Sequence, residues 1–320
     1  MQILVTGGTG YLGSALVRTL TQRHTVRVLV RNKHHTASLQ QDPVEIVEGD
    51  VRNRKSLKTA VAGCEAVFHL AALVKTWVPE ESLYEAVNVE GFRNLAEVSW
   101  EEGVKRFVYT SSFLALEPTD QDSKRTLVLN PYEASKKKAL RLARDYQKKA
   151  YPLVTVIPTV LYGPGVWTDG NHMARLLKKL LLGKFPGWID GGRWRWNFAY
   201  VEDVAEGEQL VLEQGKIGEE YVLGGETVSL RDFFTLASET AGCPVPTREI
   251  PLSFLKVHAA FQEFLARIFS REPSLTRGIL ETYRHDWDFR DEKAREALGY
   301  TSTPLKGGLV KTIAWLRNLP

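Results

Sequence analysis

The chain of 320 residues is 43% hydrophobic and 25% charged, the composition of a folded globular protein rather than a disordered or collagen-like one. Its formal net charge of +4 comes from 42 basic and 38 acidic residues with no long basic block, which argues against a nucleic-acid partner and suits a small anionic ligand. Cys64 and Cys243 stand far apart, with neither a CxxC nor a Cys/His spacing, so no disulfide framework or metal site is expected and a reducing, cytoplasmic setting is the default.

The chain opens on a strand-like run, Gln2 to Thr6, and shows none of the regions of a secretory leader. Short apolar runs then alternate with longer amphipathic ones. Ile3 to Val5, Val26 to Val30, Val44 to Val47, Ala66 to Leu70, Arg106 to Tyr109 and Leu153 to Ile157 read as strands. Their near-continuous hydrophobicity suits strands buried on both faces. Leu12 to Thr21, Ser56 to Ala62, Leu83 to Glu102 and Tyr132 to Lys149 read as the helices between them. This rhythm predicts an α/β fold, a doubly wound parallel sheet of the Rossmann type with right-handed crossovers. After about Pro158 a loop-rich segment with four tryptophans leads to a returning element at Phe198 to Gln214 and a strand at Tyr221 to Leu223. The remainder is mainly helical. The expected organisation is a dinucleotide-binding domain over 1–160, with 198–224 returning to it, and a smaller, mostly helical substrate-binding lobe made of 161–197 and 225–320.

Between the first strand and first helix lies Thr6-Gly7-Gly8-Thr9-Gly10-Tyr11-Leu12-Gly13. Gly7 suits a tight turn, Gly10 a close approach of backbone to a pyrophosphate, and Gly13 close contact of helix and strand. Helix N-terminal amides then face the phosphates, so Gly7, Thr9, Gly10, Tyr11, Leu12 and Gly13 are the expected cofactor contacts. At the end of the second strand, where a carboxylate would bind a ribose diol, stand Arg31 and Lys33. They are either solvated cations or receptors for a 2′-phosphate, and the second reading prefers NADP(H), with NAD(H) as the alternative. Asp50 and Val51 follow the third strand and either border the adenine or form a simple turn.

Tyr132 and Lys136 lie four apart at the start of a helix, on one face. An ammonium beside a phenol favours the phenolate, so the pair suits proton exchange with a carbonyl or alcohol oxygen. Ser112 ends the Tyr109-Thr110-Ser111-Ser112 run at a strand's carboxyl edge, where it can hold that oxygen. A YxxxK pair alone is often surface decoration; its coincidence with the glycine loop and Ser112 is what points to hydride chemistry.

With these stretches, and with Gly49-Asp50-Val51, His69-Leu70-Ala71-Ala72, Asn88 to Leu95, Tyr162 to Gly165 and Tyr200 to Val204, the chain resembles an extended short-chain dehydrogenase/reductase over nearly its full length. Within that group, His69 to Val78, Tyr109 to Leu116, Gly218 to Thr227 and Tyr283 to Trp287 are similar to the dihydroflavonol reductase-like branch, including farnesol dehydrogenases and hopanoid-associated epimerases. The resemblance implies catalytic roles for Ser112, Tyr132 and Lys136. It also implies that Ala71 and Ala72 touch the diphosphate-ribose side of the cofactor and that Pro158 and Thr159 border the nicotinamide. Two departures stand out. Ile157 and Trp196 occupy positions where sugar-nucleotide members commonly carry arginine, which weakens the case for a nucleotide-sugar substrate.

Trp167, Trp188, Trp194 and Trp196 either wall an apolar pocket or fill the core of the smaller lobe; Trp77 and Phe113 are further pocket candidates. The segment 252–269 is apolar but interrupted by Lys256, His258, Glu263 and Arg267, so it does not span a bilayer. It is expected to be a packed helix, with contact to a membrane surface as the alternative. His34 and His35 lack a third ligand and read as loop residues. The resulting expectation is an NAD(P)-dependent reductase of a ketone or aldehyde on an apolar or polycyclic metabolite. The alternatives are a nucleotide-sugar epimerase or dehydratase with tightly held NAD, and a non-catalytic dinucleotide sensor. A small-molecule substrate is expected, and a homodimer is compatible with the sequence.

Overall fold

The protein was analysed as a computed structural model, which describes residues 1–120, 130–168, 170–269 and 271–319, except for the side chain of Arg267. The first half alternates strands and helices: β1 (Gln2–Thr6), α1 (Tyr11–Leu20), β2 (Thr25–Val30), β3 (Val44–Glu48), α2 (Arg54–Val61) and β4 (Ala66–His69). A short helix α3 (Ser82–Tyr84) runs through a π turn at Glu85–Glu90 into α4 (Gly91–Glu101), followed by β5 (Arg106–Thr110), α5 (Pro131–Lys148) and β6 (Leu153–Pro158). The chain then builds β7 (Val160–Tyr162), α6 (His172–Leu181), β8 (Trp188–Ile189) and β9 (Arg195–Tyr200). Next come α7 (Val201–Gln214), β10 (Glu220–Leu223), β11 (Glu226–Ser229), α8 (Leu230–Ala241) and β12 (Glu249–Ile250). The helices α9 (Leu252–Phe269), α10 (Arg277–Thr282), α11 (Glu292–Leu298) and α12 (Leu305–Arg317) complete it.

Seven strands form one sheet in the order β10-β6-β5-β4-β1-β2-β3, every pairing parallel. This is the expected doubly wound Rossmann sheet, with strand order reversing between β1 and β4. Ile3, Leu4 and Val5 have no exposed surface, because helices cover both faces as a parallel sheet requires. On one face α1 and α7 bury Leu16, Val17, Val204 and Val211 against Val5, Val28 and Val156. On the other, α2, α4 and α5 bury Leu57, Phe92, Leu95 and Ala139 against Leu4, Val67 and Phe107.

A third core lies in the smaller lobe, where Trp188, Trp196, Phe198, Phe233 and Trp287 meet α6, α8 and α12. This lobe contains more strand than the sequence rhythm suggests. β9 does not rejoin the large sheet; it lies between β7 and β11 in a three-stranded sheet, and β12 pairs with β8. The chain returns to the large sheet through α7 and β10. α9 is helical as expected, with Leu255, Ala259 and Ala266 turned inward and buried. Among the described residues no helix is long and apolar enough to cross a membrane.

Candidate functional site

The expected site residues follow the carboxyl ends of adjacent strands, the edge at which open α/β sheets bind ligands. After β1, Gly7 turns the chain with a φ of +77°, and a Cβ there would lie 2.6 Å from the Ala71 amide nitrogen. A Cβ on Gly13 would overlap the Gly7 carbonyl. The Gly10 amide donates to the Gly7 carbonyl and the Ser14 amide to the Gly10 carbonyl, both at 2.9 Å. The amides of Tyr11, Leu12 and Gly13 precede the first helical bond, and no side chain caps the helix at Gly10. The result is a glycine-rich cradle lined by backbone donors and set at a helix N-terminus, which fits a pyrophosphate.

The Tyr11 side chain serves another purpose. It is buried, its hydroxyl donates to the Gly163 carbonyl at 2.8 Å, and its ring lies so close to Gly165 that a Cβ there would come within 2.8 Å. Only the Tyr11 amide is therefore offered to the loop. Ala71 and Ala72 are half-buried, with Ala71 directly beside Gly7. The Ala71 amide donates to the Thr6 hydroxyl at 3.4 Å, and that hydroxyl lies 2.8 Å from His69 Nδ1. Burial, with the Lys136 charge, pushes His69 down to about 3, so it is neutral.

Arg31 is exposed after β2. It contributes to holding the Asp50 carboxyl below its usual range, although the hydrogen bonds from Arg52 do most of this. Both Asp50 oxygens accept from the Arg52 guanidinium, at 2.9 and 2.7 Å, and Oδ1 also accepts from the Arg52 amide at 2.9 Å. Asp50 thus forms an Asx turn, whereas Val51 is buried against Gly91. After β6, Pro158 and Thr159 are buried, and the Thr159 hydroxyl donates to Asn197 Oδ1 at 2.8 Å. That bond ties the strand end to the smaller lobe.

Ser112 and Tyr132 come together. The Ser112 hydroxyl accepts from the Leu114 amide at 3.3 Å and lies near enough to the half-buried Tyr132 phenol to act on it. Burial pushes that phenol up to about 12, with Ser112 acting against the rise. This reverses the lowering expected from Lys136. Lys136 is itself 3% exposed and burial brings it down to about 7, so the cation that should stabilise a phenolate is weakened. Its Nζ donates to the Thr110 carbonyl at 3.1 Å and lies 5.2 Å from the Tyr109 ring centroid.

Two residues whose roles sequence reasoning missed organise this site, although Asn88 opens one of the stretches that carry the resemblance. Glu208, on α7 and without exposed surface, accepts from the Thr110 hydroxyl at 2.7 Å. Burial raises its carboxyl to about 8 against the opposing Lys136 charge. Its second oxygen, the Tyr109 hydroxyl and the Ser111 hydroxyl are buried without a hydrogen-bond partner. Asn88, in the π turn, accepts from the Leu73 amide at 2.7 Å and donates to the Ser135 hydroxyl at 2.8 Å. That hydroxyl donates to the Tyr132 carbonyl at 2.6 Å. A π turn in a helix that otherwise reads as regular is the only signal, and it is not legible from spacing.

The tryptophans divide. Trp188 and Trp196 belong to the core of the smaller lobe, Trp167 is exposed against Trp315, and the Trp194 indole donates to Asp190 at 3.0 Å. Phe113, next to Ser112, packs edge-on to Trp287 at 5.3 Å. His34 and His35 are exposed.

A parallel sheet with a donor-lined glycine cradle, and a serine beside a tyrosine two strands away, defines a dinucleotide-dependent enzyme of the short-chain dehydrogenase/reductase type. The chain belongs to the NAD dependent epimerase/dehydratase family, whose sequence profile matches residues 3–224. Its enzymes act on CH–OH and C=O groups. It is 30% identical to a Synechocystis sp. protein named provisionally as a dihydroflavonol 4-reductase, across 98% of this chain and 94% of that one. It is 31% identical to the 4-hydroxy-2-methyl-3-oxo-4-farnesyl-3,4-dihydroquinoline-1-oxide ketoreductase of Stigmatella aurantiaca, across 94% and 92%. Among solved structures, gox2253 superposes with a TM-score of 0.82 at 34% identity, across 98% and 97%.

Proposed function

We propose that the protein is an NAD(P)-dependent oxidoreductase that reduces a ketone or aldehyde of an apolar or polycyclic metabolite and, in reverse, oxidises the alcohol. The observation that carries this reading is the placing of the Tyr132 phenol close to Ser112 at the sheet edge, with Lys136 on the same helix and held by the Thr110 carbonyl. Burial keeps that phenol protonated across ordinary pH, the form needed to give a proton to a carbonyl oxygen. Ser112 donates to the same oxygen as negative charge develops on it. Lys136, anchored on the Thr110 carbonyl, is brought down to about 7 by burial and so exchanges its proton near neutral pH. Gly7, Thr9, Gly10 and the amides of Tyr11 to Gly13 hold the diphosphate. Ala71 and Ala72 lie on its ribose side, Asp50 and Val51 near the adenine, and Pro158 and Thr159 beside the nicotinamide. When bound, the nicotinamide supplies or accepts the hydride. Arg31 favours NADP(H) over NAD(H).

The apolar substrate is supported by Phe113, which follows Ser112 in the chain and is backed by the core residue Trp287. It is also supported by Ile157 and Trp196, both buried, at positions where the resemblance implies that sugar-nucleotide members commonly carry arginine. The farnesylated substrate in the name of the Stigmatella relative points the same way. The test is stoichiometric NADPH oxidation with terpenoid, flavonoid and aliphatic carbonyls. Tyr132→Phe should retain cofactor binding and lose most turnover. Near-wild-type reductase activity in that variant removes Tyr132 as the acid. A co-purifying NAD that is never consumed would assign the site to epimerase or dehydratase chemistry instead.

A further inference from the structure

Helix α9 has two unlike faces. Leu255, Ala259 and Ala266 attach it to the lobe at 6%, 0% and 2% exposure. Its single carboxylate, Glu263, accepts from the Arg277 amide at 2.6 Å and from Arg277 Nε at 2.8 Å. The opposite face presents Phe254, Val257, Phe261, Phe264 and Ile268, between 56% and 72% exposed. Their alternating three- and four-residue spacing places them on one stripe. A contiguous row of large apolar side chains in water marks an interaction surface.

We propose that this face docks on a membrane surface carrying anionic lipid, with α9 lying in the interface and its phenyl row entering the headgroup boundary. Charge decides between lipid and a second copy of the chain. Lys256 is exposed on the helix and Arg271 just beyond its end. Glu263 is taken by Arg277, and Glu272 lies 3.9 Å from Lys75. Two copies joined along the stripe would place cations along a seam whose one helical carboxylate is already occupied. Anionic headgroups would neutralise those cations, and a lysine stem can lie along apolar surface while its ammonium stays in water.

The full-length protein should sediment with phosphatidylcholine vesicles containing phosphatidylglycerol, and rising salt should weaken that binding. Phe261→Ser with Phe264→Ser should reduce binding by at least about tenfold, since apolar burial drives insertion. The thermal midpoint and NADPH binding should persist, because these rings are already in water. Lys256→Glu should weaken binding to anionic vesicles only. No vesicle binding, equal binding to neutral vesicles, or binding that survives the double substitution overturns the proposal. So does a dimer in light scattering that the double substitution splits, which would give the face to a second copy.

Discussion

Thr110 joins two buried ionisable groups from opposite faces of the sheet: its carbonyl accepts from Lys136 and its hydroxyl donates to Glu208. The titratable groups facing Lys136 are Tyr109 on β5, His69 on β4 and Glu208 on α7. Glu208 is the only carboxylate among them. Because burial raises its folded-state pKa to about 8, the folded chain holds this proton more tightly than the unfolded chain. The associated stability is full below the unfolded carboxyl value and is lost as pH climbs through about 8. Glu208→Gln keeps an acceptor for Thr110 but cannot ionise. Its thermal midpoint should gain on wild type between pH 5 and pH 8, by about 2 °C or more. Equal differences at both pH values would show that the carboxyl does not titrate in the folded chain. At the cofactor end, Arg31→Ala should weaken NADPH binding by about tenfold or more, because a guanidinium–phosphate contact is charge-assisted and often bidentate. NADH binding should change little. Fluorescence titration with both cofactors separates the outcomes, and parallel losses remove Arg31 from phosphate recognition.

Helix α5 places Tyr132 through its first turn. Asn130 Oδ1 accepts from the Glu133 amide at 2.8 Å, and Pro131 fixes the first helical φ. Gly278 of α10 approaches so closely that a Cβ there would lie 2.7 Å from Asn130 Cβ. Asn130→Ala should cost about 1–2 kcal/mol through loss of the cap. Denaturant titration should show this, together with a lower kcat and nearly unchanged NADPH affinity. An unchanged midpoint would deny the cap its role. The large-sheet strands were legible because burial on both faces forces continuous apolar runs such as Ile3 to Val5. β8 and β12 were not, since two-residue strands carry no period. Glu208 was hidden for a related reason: a glutamate in Glu206-Gly207-Glu208-Gln209 reads as solvated, and only α7 lying against β5 and β6 makes it buried. The four tryptophans have the same composition signal in a pocket wall as in a core, and two of them proved to be core.

The matched region ends at residue 224, after all seven strands of the large sheet, yet the core on one face of that sheet is not complete without the C-terminal residues. Ala294, Leu298 and Tyr300 belong to the core formed by β1, α1 and α7. The Tyr300 hydroxyl donates to the Gly224 carbonyl at 2.7 Å, and the Thr303 hydroxyl to Asp203 at 2.8 Å. A fragment ending at residue 224 should therefore lack a cooperative thermal transition, whereas the full chain should show one. A sharp transition in the fragment's calorimetric trace would prove the first 224 residues self-sufficient. Asn88 has a related effect at shorter range. It bonds the segment after Ala71 and Ala72 on one side and, through Ser135, the turn carrying Tyr132 on the other. Through these bonds one amide side chain links the two segments, so order gained in one is expected to be felt in the other. By thermodynamic reciprocity, whatever the cofactor gains from a well-set Tyr132 helix, that helix gains equally from the cofactor.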